Sequence, residues 1–231
     1  MFNMTKIRAS HGSGKSFYAN HLSANDYYSE HEKITGHWRG ELAEVFGLRG
    51  NLVTSEEFSL FQKNINPKTY GKLTQKNIPG GPRFFDFQCA APKSVSVMSL
   101  FDERLMEAHV ESVRIAMSEL EKFAAVRVRH GENVRTNNYE TTGQLIYAEF
   151  THDTSRELDP QLHTHNVVCN VTRSHDGKFK ALETLEMCRA IRYAGKVYHN
   201  AMALKCRELG YDTVNVRDKK GNIVWYDLKC V

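Results

Sequence analysis

Three histidines near the middle of the chain constrain its fold more than any other feature. His152, His163 and His165 lie within fourteen residues. Side chains two residues apart in a strand point from the same face, as His163 and His165 would. Residues 144–152 and 162–172 both have the pattern of strands, and turn-forming residues lie between them. The sequence therefore predicts a β-hairpin that carries three imidazoles.

The expected pairing of this hairpin brings the imidazoles together. If the strands pair symmetrically about the loop, His152 lies opposite His163, with their Cβ atoms about 4.5–5.5 Å apart. Ala148, Phe150 and Val167, at the other positions of that face, are apolar. A slip of one residue would turn His152 to the opposite face. Histidines also cluster by chance, but the strand period and the hairpin pairing independently favour a three-histidine metal site with an open side.

Composition is that of an ordinary soluble domain. The chain has 231 residues, of which 41% are hydrophobic and 25% charged, and a net charge of +4 that mildly favours an anionic partner. Its five cysteines are odd in number and form no Cys-x-x-Cys pair, which favours a reduced compartment over a disulfide framework. The sequence shows no signal peptide and no run of membrane-spanning length, so the expected location is the cytoplasm, without membrane insertion.

The N-terminal segment contains a glycine-rich turn and several phenols. Residues 9–16 approach a phosphate-binding loop, but Ala9 stands where that motif begins with glycine, so a helix-capping turn is the better interpretation. Tyr18, Tyr27 and Tyr28 follow. They are either packing residues or nucleophiles, since a phenol attacks phosphorus well once its ionised form is stabilised.

Residues 83–89 have the pattern of a buried strand interrupted by one carboxylate, that of Asp86. An isolated buried carboxylate is costly. We therefore expect Asp86 to have a histidine, a hydroxyl or a cation as its partner.

Four residues are candidates for contacts with phosphate. Arg83 follows a long polar loop with several lysines, which is either a solvated connection or an edge that binds a nucleic-acid backbone. Lys93 and Ser94 begin an apolar segment, where they either meet a phosphate or cap a helix. Arg192 belongs to a basic helix face that is either solvated or a track for nucleic acid.

The rest of the chain is predicted to form helices and hairpins. We expect helices at residues 38–48, 55–63, 102–127 and 183–210. Ser55 and Asp102 are the predicted N-caps of the second and third helices. A turn at 175–178 should lead into a second hairpin, and residues 212–228 should form a last one.

The order of these motifs closely resembles the relaxase domain of the MobF conjugative relaxases, which belong to the HUH single-strand endonucleases. The resemblance lies in the early tyrosines, in Asp86 with the following Ala91-Pro-Lys-Ser-Val-Ser96, and in the spaced histidines. It extends from the N terminus to about Leu228. In this family the tyrosines precede the histidines, whereas rolling-circle replication initiators have them after.

The resemblance implies an α+β fold, with a palm of antiparallel sheet flanked by helices. It also implies a divalent metal held by His152, His163 and His165, and a tyrosine that attacks a scissile DNA phosphate. The products would be a 5′-phosphotyrosine and a free 3′-hydroxyl, and a second transfer would reseal the strand. Tyr18 is the preferred first nucleophile and Tyr27 the candidate for the second transfer, with Tyr28 beside it. Asp86 would be the general base, or would orient the tyrosine or a ligand histidine.

The resemblance also implies a class of metal ion and a set of partners. Manganese, nickel and zinc suit nitrogen ligands, while magnesium prefers oxygen, so the residues do not identify the ion. The expected partner is single-stranded or hairpin DNA at a plasmid transfer origin, with accessory transfer proteins and a type IV secretion coupling protein as further partners. Relaxase domains usually continue into closing helices and a helicase module. We therefore expect residues 1–231 to be one relaxase domain cut before them.

Two other functions remain open from the sequence. The first is a replication initiator or transposase with the same chemistry. The second is a non-catalytic module that binds single-stranded DNA and uses its histidines to hold a structural metal. A structural site normally has four ligands, and Asp86 is the only candidate for the fourth.

Overall fold

A five-stranded antiparallel sheet forms the centre of the computed structural model, which describes residues 2–8, 36–75, 80–128, 138–155, 157 and 159–229. The strands of the described chain are β1 (Phe2–Arg8), β2 (His37–Arg39), β3 (Pro82–Ala90), β4 (Ala125–Val128), β5 (Asn138–Thr141), β6 (Tyr147–Thr154), β7 (Pro160–Cys169), β8 (Thr172–Arg173), β9 (Phe179–Lys180), β10 (Thr213–Arg217) and β11 (Ile223–Leu228). Its helices are α1 (Glu41–Phe46), α2 (Ser55–Gln62), α3 (Lys93–Met98), α4 (Arg104–Glu121) and α5 (Leu185–Glu208).

The central sheet has the strand order β1-β3-β7-β6-β2, and every neighbouring pair is antiparallel. Separate two-stranded sheets are formed by β4 with β5, β8 with β9, and β10 with β11. The expected α+β architecture, an antiparallel palm flanked by helices, is therefore confirmed. The predicted hairpin is β6 and β7, and its predicted register is confirmed because His152 pairs with His163.

Alternate residues of the central strands pack into two different apolar clusters. Phe84 belongs to a cluster with Val167 of β7 and Phe58 of α2. Its neighbour Phe85 belongs to a second cluster, which includes Met117 of α4 and other residues of α4 and α5. Burial of each phenylalanine stabilises the fold by about 1.5–3 kcal/mol. The sheet is thus covered on both faces, and the strand period decides which face each side chain takes.

The predicted helix at 38–48 is shorter than expected and begins at Glu41. Trp38 instead lies in β2, where it pairs with Ala148 and is completely buried. Gly40 follows with a φ of +92°, and a Cβ at this position would lie 2.3 Å from the carbonyl oxygen of Leu145. This backbone conformation ends β2 before α1 begins. Residues other than glycine rarely adopt it, which explains the glycine at this position.

The predicted caps of two helices were wrong. In α2 the N-cap is Thr54, whose hydroxyl accepts a hydrogen bond from the Glu57 amide while the Glu57 carboxylate accepts one from the Thr54 amide. Asp102 lies before α4, where its carboxylate binds the amide and the guanidinium of Arg104. The N-cap of α4 is Glu103, one residue later than predicted, and its side chain makes no capping hydrogen bond.

The long helices also end earlier than the sequence pattern predicted. The α4 helix stops at Glu121 because residues 125–128 pair with β5 as strand β4. The α5 helix covers 185–208 of the predicted 183–210. The two further hairpins are confirmed as β8–β9 and β10–β11. In the described part of the chain, every helix is too short or too polar to cross a membrane.

Candidate metal centre

The three histidines lie together on one face of the central sheet. The ring centroids of His152 and His163 are 5.0 Å apart, those of His152 and His165 are 5.5 Å apart, and those of His163 and His165 are 5.2 Å apart. His152 lies near the end of β6, and the other two are on β7. Strand pairing and strand period together therefore produce the cluster that the sequence predicted.

The cluster is not a closed coordination shell in this conformation. Within the described ranges, no group of three or more histidine, cysteine, aspartate or glutamate side chains is arranged to hold a metal ion as it stands. The rings of His152 and His163 are nearly parallel, with 17° between their planes, whereas His165 is steeply inclined to both. The structure brings three imidazoles to one place, and the metal itself remains a prediction.

Two of the three rings are oriented by acceptors behind them. The Nδ1 of His165 donates a hydrogen bond to the Oδ2 of Asp86 over 2.7 Å, and the Nδ1 of His163 donates one to the carbonyl oxygen of Gln161 over 2.7 Å. Carboxylate and carbonyl oxygens only accept, so each Nδ1 carries a proton, and in the neutral ring the Nε2 has the lone pair. Metal-binding histidines show this pattern, in which the second nitrogen is held by an oxygen.

Asp86 has the partner that its burial required. It is 6% exposed and lies on β3, opposite Val167. Its Oδ2 accepts the bond from His165, while its Oδ1 has no hydrogen-bond partner among the described residues. The expected partnership with a histidine is confirmed. The second oxygen is buried, and its acceptor capacity is not used by any described residue.

A buried polar network lies on the opposite side of β7, and the sequence did not predict it. The Thr164 hydroxyl is 2.9 Å from the Thr151 hydroxyl and 3.0 Å from the Nε2 of His109. The Nδ1 of His109 is 2.7 Å from the hydroxyl of Tyr198. This network links β6, β7, α4 and α5 directly behind the two histidines of β7. His109 lies among the apolar residues of α4 at helical period, a position that predicts a core side chain rather than a polar network.

Burial keeps this network uncharged at neutral pH. It lowers the pKa of His109 to about 3, with a smaller contribution from His163. Burial also raises the pKa of the Tyr198 phenol well above its usual value. A neutral imidazole has one donor and one acceptor nitrogen. His109 is therefore the donor in one of its two hydrogen bonds, to Tyr198 and to Thr164, and the acceptor in the other.

The candidate phosphate-binding residues separate into two groups. Lys93 and Arg192 line one cavity of about 550 Å³. Ser94 lies beside this cavity in α3, and its hydroxyl donates a hydrogen bond to the carboxylate of Asp227. Arg83 is near the start of β3, at the other end of the strand from Ala90, and lines a smaller cavity of about 160 Å³. The structure thus does not bring Arg83 to the other three.

The candidate nucleophiles Tyr18, Tyr27 and Tyr28 lie outside the residues that the structure describes. Their distance from the histidines therefore stays a prediction, as does the choice between them.

Fold and site together define an α+β domain with a candidate metal centre on the antiparallel strands of its central sheet. Residues 11–228 match the family model described as TrwC relaxase. Over 213 residues the chain is 35% identical to the multifunctional conjugation protein TraI of Escherichia coli, and over 227 residues it is 32% identical to the protein of that name from strain K12. The aligned regions cover 83% and 92% of the chain. The chain spans about 12% of the length of these relatives.

Solved structures agree with this match. The metal-bound structure of the conjugative relaxase TrwC in complex with oriT DNA has a TM-score of 0.80 and 30% identity, and the likeness covers 99% of this chain and 75% of that one. TrwC complexed with a 27-mer DNA comprising the recognition hairpin and the cleavage site has a TM-score of 0.77 and 30% identity, with 99% and 74% coverage. The chain belongs to the TrwC relaxase family.

Proposed function

We propose that this chain is the relaxase domain of a conjugation protein, and that it nicks and rejoins one DNA strand at a plasmid transfer origin. The observation that carries the proposal is the cluster of His152, His163 and His165, with two of its rings held by oxygen acceptors on Nδ1. Membership of the family and the likeness to TrwC in complex with oriT DNA support it.

The proposed reaction is a transesterification. The hydroxyl of Tyr18 loses its proton and attacks the scissile phosphorus. The bond to the 3′ oxygen breaks and that oxygen takes up a proton, so a 5′-phosphotyrosine and a free 3′-hydroxyl result. Tyr27, with Tyr28 beside it, is the candidate nucleophile for a second transfer. The phosphodiester bond is exchanged rather than hydrolysed, so nicking requires no ATP.

The histidines fit a divalent metal by the chemistry of their donors, since two of them keep the Nε2 lone pair in the tautomer that Asp86 and Gln161 impose. When bound, such an ion supplies Lewis-acid stabilisation of charge on the phosphate oxygens. Metal-bound structures of TrwC, one of them copper-bound, support a metal here and leave its identity open. Asp86 would orient His165 through the hydrogen bond between its Oδ2 and the Nδ1 of the ring.

The proposed DNA partner is single-stranded or hairpin DNA. Lys93 and Arg192 are candidate phosphate contacts at the larger cavity, with Ser94 beside them at the start of α3, and Arg83 is a separate candidate near the start of β3. Because such contacts release counterions, affinity should fall as salt rises. We further propose a cytoplasmic location, accessory transfer proteins and a type IV coupling protein as partners, and residues 1–231 as one domain of a longer protein.

The test is formation of a covalent adduct with a labelled oligonucleotide that contains a transfer-origin cleavage site. We expect an adduct that requires a divalent metal and disappears with EDTA. Tyr18→Phe should abolish it, whereas Tyr27→Phe and Tyr28→Phe should leave the first cleavage in place.

The variants distinguish the proposal from its rivals. If Tyr18→Phe, Tyr27→Phe and the double variant all still form the adduct, the assignment of nucleophiles is wrong. If EDTA leaves cleavage intact, the metal role is wrong. Binding of the oligonucleotide without any adduct would favour a non-catalytic DNA-binding module.

A further inference from the structure

A cavity of about 550 Å³ lies between α5, β11, the start of α3 and the N-terminal residue of β1. This volume is in the range of small-ligand sites. Its apolar walls include Phe2, Pro92, Ile191 and Trp225. Two of the candidate phosphate contacts, Lys93 and Arg192, line this cavity, but the proposed strand transfer assigns no ligand to the space itself.

Glycine at position 195 helps to form the cavity. Gly195 lies in the interior of α5, where glycine costs about 1 kcal/mol relative to alanine. A Cβ at this position would lie 3.2 Å from the Cβ of Phe2, tighter than ordinary contact. The missing side chain therefore lets β1 approach the helix at the floor of the cavity.

The charged residues around the cavity are mainly basic. Three cations, Lys93, Arg192 and Lys196, line it together with one carboxylate, that of Asp227, which already accepts a hydrogen bond from Ser94. Lys93 donates to the carbonyl of Pro160, and Lys196 donates to two carbonyls of β11. Arg192 is exposed and has no hydrogen bond or ion pair with any described residue. Its guanidinium is thus the cation available to an incoming anion such as phosphate.

The cavity is also lined by an aromatic surface and by the neutral ring of His199. Trp225 is 46% exposed, although it lines an apolar space. The Nδ1 of His199 is buried and has no hydrogen-bond partner in the described part of the chain. Burial lowers the pKa of His199 to about 4, so its ring is neutral at physiological pH. An exposed indole, a neutral polar group and a cation match the base and the phosphate of a nucleotide.

The wall of the cavity is continuous with the strand that borders the histidines. Ala90 pairs with His163, and the amide of the next residue, Ala91, donates a hydrogen bond to the carbonyl of Leu162 over 2.9 Å. Ala91 and Pro92 then line the cavity. A DNA strand that passes the histidines can therefore reach this space around the same end of β3 and β7.

We propose that this cavity binds one unstacked nucleotide of single-stranded DNA, with its base against Trp225 and its phosphate at Arg192. The proposal rests on the proposed function, because it assumes that single-stranded DNA is the substrate. The cavity would be a second binding site for the DNA strand, on the face of the sheet opposite to the histidines.

Tryptophan fluorescence tests the proposal without cleavage. The chain has two tryptophans, and Trp38 is completely buried, so a quencher in the cavity should act on Trp225. We would titrate a thymidylate tetranucleotide into the protein in EDTA and follow fluorescence, with anisotropy of a labelled oligonucleotide as the second readout. Saturable quenching is expected.

Substitutions define the outcome. Arg192→Ala and Trp225→Ala should each weaken binding about tenfold or more. Arg189→Ala is the matched control, because Arg189 is exposed on the same helix and paired with Glu186, and it should bind like the unaltered protein. Urea unfolding must show that each variant is folded. The proposal is overturned if both cavity variants bind normally, or if hexaglutamate competes as well as the oligonucleotide.

Failure of the two proposals is distinguishable. His163→Ala should abolish adduct formation and leave the fluorescence titration unchanged. If the chain binds the tetranucleotide at the cavity but never forms an adduct, the cavity site stands and the nicking function fails. If the chain nicks DNA with normal affinity when Trp225 and Arg192 are replaced, the cavity proposal and the role of Arg192 as a phosphate contact fail, and the nicking function stands.

Discussion

Asp86 reaches His165 diagonally across the pairing of β3 and β7. Asp86 lies opposite Val167, and His165 lies opposite Gln88, yet the Oδ2 and Nδ1 atoms are 2.7 Å apart. Diagonal neighbours on one face of a sheet are within reach of long side chains. The carboxylate therefore fixes the ring of a histidine that it does not face.

This contact predicts a loss of metal affinity when the charge is removed. Asp86→Asn keeps the size of the side chain but weakens the orientation and the basicity of His165, so affinity for Mn²⁺ or Ni²⁺ should fall about 10- to 100-fold. Isothermal titration calorimetry measures the effect. Asp212→Asn, at an exposed position, is the control and should bind normally. Equal affinity in both variants would contradict the role of Asp86.

The histidine cluster predicts that metal binding depends on all three rings. His152→Ala should reduce metal affinity at least as strongly as Asp86→Asn, because it removes a ligand rather than its support. His175→Ala is the matched control, since the His175 side chain is 77% exposed and lies outside the cluster. Equilibrium dialysis with Ni²⁺ gives the comparison. A His152→Ala protein with the affinity of the control would show that the ion is held elsewhere.

Glu121 predicts a pH dependence of stability. Its Oε1 accepts hydrogen bonds from the amides of Glu41 and Leu145, and burial raises its pKa from 4.5 to about 6. The folded state thus favours the protonated acid. Its contribution is complete below pH 4.5 and is lost as pH rises through 6, a change of about 2 kcal/mol in the free energy of unfolding.

Urea unfolding between pH 4 and pH 7 tests this sign. Glu121→Gln can still accept both amide hydrogens but cannot ionise, so it should lack this part of the pH dependence. Glu107→Gln, at an exposed position of the same helix, should keep it. The explanation fails if the two variants show the same pH profile.

The network behind β7 predicts that one hydroxyl is important for stability. Thr164→Val keeps the shape of a fully buried side chain but leaves the Nε2 of His109 and the Thr151 hydroxyl without this partner. A buried unsatisfied polar group costs about 1–3 kcal/mol. Thr164→Ser keeps the hydroxyl and should lose only about 0.8 kcal/mol for the missing methyl group. The order of the urea midpoints decides, and a less stable serine variant would contradict the prediction.

The sequence was most informative where a local period decides the structure. His152, His163 and His165 could be placed on one face from the strand period and the hairpin alone, and the burial of Asp86 required a partner. The hydrogen bonds of His109 could not be predicted, because they join residues separated by 55 and 89 positions. The pairing of Trp38 with β6 is also remote in sequence, so the local pattern alone placed this residue in a helix. The sequence also could not decide which tyrosine is the nucleophile, because Tyr18, Tyr27 and Tyr28 have the same chemistry and lie close together in the chain.

The position of Thr164 between two histidines couples the histidine cluster to the packing of the domain. A strand has only two faces, so the backbone that presents His163 and His165 on one side must present Thr164 to His109 on the other. A slip by one residue would turn His163 and His165 to the face of His109 and would turn Thr164 to the face of the cluster. No change in the register of β7 by one residue can therefore keep His163 and His165 in the cluster. Loss of the helix contact and loss of the cluster should occur as one event.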